Sequence, residues 1–62
     1  MKRRDLERHL REQGCAPIRE GGNHTIWEGP RGRAPVPRHR EIDRKLARAI
    51  CAQLGVDAPA ET

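Results

Sequence analysis

The chain predicts an α+β domain of order α-β-β-β-α, a three-stranded antiparallel sheet with both helices on one of its faces. Apolar residues recur at helical spacing near both ends of the chain, and the middle third alternates short β-prone runs with glycine- and proline-rich turns. At 62 residues, the length suits one domain near the lower limit at which a hydrophobic core supports itself.

Residues 2 to 13 all tolerate helix, with Leu6 and Leu10 four apart on one face, His9 and Gln13 beside them, and Gly14 as the stop. That apolar stripe is narrow, so the helix depends on the rest of the fold. Residues 15 to 19 form a short extended segment whose Pro17 has no donor for a sheet ladder, which places the strand at an edge or leaves it only partly paired. Residues 20 to 22 turn the chain. Thr25 to Glu28 has strand composition, Gly29-Pro30-Arg31-Gly32 is a turn sequence, and residues 33 to 37 return as the second arm of a hairpin, its outer edge marked by Pro35 and Pro37. After His39 the period changes: Leu46, Ala47, Ile50, Cys51 and Leu54 share a helical face between Asp43 as N-cap and Gly55 as stop. The expected core is Leu6, Leu10, Ile18, Ile26, Val36, Leu46, Ile50 and Leu54, which leaves the other face of the sheet open to a ligand. Residues 57 to 62 are small, polar and acidic and are expected to fray, so the domain is placed at 1 to 56.

Charge is unevenly spread. The net charge is +4, but residues 31 to 48 alone sum to +5, with Arg31, Arg33, Arg38, Arg40, Arg44, Lys45 and Arg48 against Glu41 and Asp43. Arg44 and Lys45 fall in the first turn of the last helix, the wrong sign for its dipole, which suits groups that face an anion. Phosphate matches such an arginine-rich stretch, because the guanidinium fork fits it and stays charged. A solvated surface that keeps a small protein soluble is the alternative. With 34% hydrophobic and 35% charged residues, the core is expected to be thin and mostly aliphatic.

Cys15 and Cys51 are too few and too far apart for a disulfide framework and read as small buried hydrophobes. A zinc site using both with His24 and His39 has no spacing in its favour, so neither a metal nor a cofactor is expected. No apolar run approaches the length of a transmembrane helix or a signal-peptide core, and a cytoplasmic protein without membrane contact is expected.

His24 follows Gly21, Gly22 and Asn23, a loop-shaping stretch at the mouth of a strand. Imidazole takes and gives a proton near neutral pH, and a structural histidine is the competing reading. Strand alternation puts His24 and Ile26 on one side. With Ile26 expected in the core, the strand is placed after the glycine bend; with Trp27 in the core instead, His24 emerges without a bend. Trp27 itself suits either packing or stacking on a base.

The run Gly22-Asn23-His24-Thr25-Ile26-Trp27, the Gly-Pro-Arg-Gly turn, Ala34-Pro35-Val36-Pro37-Arg38-His39 and the closing Leu54-Gly55-Val56 resemble the HicA-like toxins of bacterial type II toxin-antitoxin systems, over residues 3 to 56. The resemblance implies a double-stranded-RNA-binding-like fold turned to RNA cleavage without a metal. Gly22, Asn23 and His24 occupy the family's glycine, small polar residue and histidine, which makes His24 the catalytic residue. Members are translation-blocking mRNA interferases, held inactive by a HicB-type antitoxin that covers the histidine and the basic surface. Asn23 stands where the family often has serine, and Lys45 where a glycine is common.

RNA supplies its own nucleophile in the 2′-hydroxyl, so a base, an acid and positive charge suffice to cleave it. His24 is expected as base or acid, with Arg31, Arg33, Arg38, His39, Arg40 and Lys45 on the RNA backbone and the free protein a monomer. A non-catalytic small RNA-binding module is the alternative function, and an adaptor for an acidic protein the third.

Overall fold

A computed structural model describes residues 1 to 60. Helix α1 (Arg3–Glu12), strands β1 (Ala16–Glu20), β2 (His24–Gly29) and β3 (Gly32–Pro37), and helix α2 (Arg44–Leu54) follow one another in the expected order. The strands pair antiparallel in the order β1-β2-β3. Both helices contribute to one core against one face of this sheet, and the opposite face is open.

The helix ends follow from local chemistry. Gly14 takes a φ of 88° just past α1, a conformation that a side chain disfavours. At α2 the Asp43 carboxylate accepts the Lys45 backbone N–H at 2.9 Å, and Gly55, at φ 83°, returns its own N–H to the last turn. Leu6 and Leu10 are fully buried, as the narrow stripe requires.

The core differs from expectation in three places. Trp27 is 1% exposed and Thr25 is buried beside it, so β2 turns these two toward the helices and Ile26 outward. Trp27 is the largest fully buried side chain in the chain, and with a period of two its burial dictates the direction of every other residue in the strand. The strand therefore begins at His24 itself, and the histidine emerges without a bend. Ile18 is 43% exposed, because a bulge between Pro17 and Arg19 inserts it as an unpaired residue on the edge strand. Leu46 is 40% exposed: the buried stripe is Ala47, Ile50, Cys51 and Leu54, and Leu46 lies about 90° around the helix from its centre.

Ile42 enters the core because the segment after β3 pairs with the start of the chain. The Met1 backbone nitrogen donates to the Ile42 carbonyl at 2.8 Å, Ile42 N–H to the Met1 carbonyl at 2.7 Å, and Lys2 forms an isolated bridge with Glu41. His9 Nε2 donates to the Asp57 carbonyl at 2.7 Å, which ties the first residue after Val56 to α1. Of the tail expected to fray, residues 61 and 62 lie outside the described residues. At the far end, Gly29 approaches α2 closely, and a Cβ there would sit 2.6 Å from the Leu54 carbonyl oxygen.

Candidate active site

His24 opens β2 at the end of the sheet away from the hairpin turn, and its side chain is exposed. The backbone around it is held from both sides. Gly21 N–H donates to the His24 carbonyl at 2.8 Å, and Arg38 N–H donates to the Asn23 carbonyl at 3.1 Å. Neither Gly21, Gly22 nor Asn23 has positive φ, so these two hydrogen bonds hold the loop without a left-handed residue.

Register defines the histidine's neighbours. Opposite residues of an antiparallel pair share a face, so His24, Ile26 and Glu28 of β2 lie on the open face with Pro37, Pro35 and Arg33 of β3. On the other side Arg19 is paired with Ile26, which makes it the diagonal neighbour of His24. Diagonal partners are about 7–8 Å apart, within reach of an arginine. Arg19 has no hydrogen-bond or ion-pair partner among the described residues. It was not among the basic residues expected at the site, since its face follows from the bulge at Ile18.

The expected basic residues do not gather on one surface. Arg33 lies on the histidine's face but four residues along β3 from Pro37, about 13 Å, and its Nε pairs with Glu28 at 3.2 Å. Arg31 sits in the hairpin turn, donates its N–H to the Leu54 carbonyl at 3.0 Å, and lays its aliphatic stem over Gly55. Arg38 follows Pro37 at the histidine's end, yet its guanidinium pairs with Glu20, whose register partner Thr25 faces the helices. Arg40 lies beside the start of α1, where its carbonyl accepts the Arg3 N–H at 2.9 Å. His39 is exposed between them, and Lys45 is exposed in the first turn of α2.

Cys15 and Cys51 are buried in the core, and burial pushes both thiols above their usual range, with Cys15 raising Cys51 further. Both are therefore neutral packing groups rather than nucleophiles. Among the described residues no three histidine, cysteine or acidic side chains are grouped to hold a metal ion. Among the described residues no helix is long and apolar enough to cross a membrane.

The geometry defines a small α+β domain that presents one histidine and an adjacent arginine on an open sheet face, with more cations around the rim. Residues 3–56 match the family described as the HicA toxin of bacterial toxin-antitoxin, and the chain belongs to that family. A toxin of such a pair acts with an antitoxin partner. No curated protein and no solved structure gives a match.

Proposed function

We propose that this toxin is a metal-independent endoribonuclease, an mRNA interferase that blocks translation in the cytoplasm, acts as a monomer, and is neutralised by a HicB-type antitoxin covering its histidine and basic surface. The observation that carries the reading is the exposure of His24 on the open face with Arg19 diagonal to it. His24 as base removes the 2′-hydroxyl proton while that oxygen forms a bond to phosphorus. The bond from phosphorus to the 5′-oxygen breaks, the departing oxygen takes a proton from water or from the imidazolium, and a cyclic phosphate remains. Arg19 supplies positive charge where the pentavalent phosphorus gathers negative charge. An open sheet face suits a splayed single strand better than a buried small molecule.

Incubation of the pure protein with labelled RNA in excess chelator tests this. Cleavage in chelator is the expected result; RNA that is shifted but intact assigns the chain to the non-catalytic binding modules instead. Arg19→Ala is expected to lower kcat by about a hundredfold, as loss of one transition-state donor does elsewhere, with partial recovery in Arg19→Lys. A steady-state comparison checks it: an effect confined to KM removes Arg19 from the reacting phosphate.

A further inference from the structure

The start of α1 and the segment after β3 enclose a groove of roughly 660 Å³ lined by Lys2, Arg3, Arg4, Arg38, Arg40 and Glu41. Five of these six side chains are cationic. Two of the five are committed to holding the groove together: Arg3 donates from its guanidinium to the Arg38 carbonyl at 2.6 Å and approaches Glu7 at 3.9 Å, and Arg38 pairs with Glu20. Lys2, Arg4 and Arg40 are exposed and have no side-chain partner among the described residues. The first turn of α1, a ten-residue helix, adds its partial positive charge to theirs.

Folding gains nothing from the three unpartnered cations. The two segments are already joined by the backbone hydrogen bond from Arg3 to Arg40 and by the Lys2–Glu41 bridge, while like charges in one groove repel. We propose that the groove is a second phosphate-binding site, which takes the sugar-phosphate backbone of the RNA strand as it leaves the His24 face. This rests on the nuclease reading above. Pro37 is the register partner of His24, about 5 Å across the pair, and Arg40 follows it by three residues, so at most ~11 Å of chain separates Pro37 from Arg40. A strand held at both points runs around the rim of the sheet toward α1 and away from the hairpin turn that carries Arg31. Its contacts are to phosphate alone, so the groove adds affinity without sequence preference.

The test uses Lys2→Gln, Arg4→Gln and Arg40→Gln together in a His24→Ala background, where the probe survives. Binding of a labelled single-stranded RNA of mixed sequence is followed against salt. Three lost contacts should lower the slope of log affinity against log salt by about two units, since each single-strand phosphate contributes about 0.7. Arg4→Lys with Arg40→Lys should retain the slope, and an unchanged far-UV spectrum and melting curve establish that the glutamine variant is folded. An unchanged slope overturns the site even if the parent cleaves RNA. Retained RNA binding with lost antitoxin binding also overturns it, making the groove a protein interface. Should the parent neither cleave nor bind RNA, the nuclease reading fails first and the groove fails with it.

Discussion

His24→Ala is expected to lower RNA cleavage by about a hundredfold to ten-thousandfold, the usual worth of a positioned proton-transfer group, and to leave the fold and RNA affinity nearly intact. The separation of these effects follows from the geometry. The backbone of His24 carries its structural duties: its carbonyl accepts the Gly21 N–H, and the register places it opposite Pro37. The side chain stands outside the core, with no hydrogen-bond partner among the described residues, so truncation removes no packing. Cleavage by the purified variant and growth arrest on its expression without antitoxin are the two measurements. A variant that still arrests growth and degrades transcripts at the parent's rate removes His24 from the reaction, whatever its family position. A variant that loses activity and also melts early would instead make the ring a structural element.

Sequence reasoning reached the element order because each boundary has a local cause. Asp43 and Gly55 bracket α2, Gly14 ends α1, and the Gly29 to Gly32 turn makes the hairpin. The direction of β2 was harder to read, since Ile26 and Trp27 are adjacent and both apolar, and alternation permits only one of them inside. Bulk decides between them: burying the indole removes more apolar surface from water than burying the isoleucine does. The bulge at Ile18 is a property of the pairing between two strands, and Pro17, which suits an edge or a bulge alike, does not say which residue is left unpaired. Arg19 reaches the histidine's face through that bulge, so its place there has no local signature either. Similarly, the basic run from 31 to 48 is continuous in sequence but not in space. In the fold Glu28 and Glu20 take up two of its arginines, and Arg40 joins Lys2 and Arg4 from the other end of the chain. Contacts between residues 35 apart, such as Arg3 with the Arg38 carbonyl, have no local sequence signature.

Trp27→Ala is expected to remove a third or more of the protein's stability. Removing a buried aromatic costs about 3–5 kcal/mol, and a domain of this length has roughly 3–9 kcal/mol in total. Trp27→Phe separates the ring's bulk from its polar edge. The indole Nε1 is buried without a hydrogen-bond partner among the described residues, and a donor left so costs about 1–3 kcal/mol. Phenylalanine removes that donor and keeps most of the ring, so the smaller cavity and the relieved desolvation should offset one another to within about 1 kcal/mol. The Arg11 guanidinium, 5.2 Å from the ring centroid, still finds an aromatic face there. Urea denaturation of the three proteins measures both changes. If alanine is tolerated with a midpoint near the parent's, the indole is not what fixes the inward face of β2, and the outward placement of His24 loses its physical cause. If phenylalanine costs as much as alanine, the indole edge has a partner in solution. The same period of two that buries Trp27 exposes His24 three residues earlier, so this stability series bears directly on the site: a strand that slips by one residue to bury Ile26 would carry the histidine inward with it.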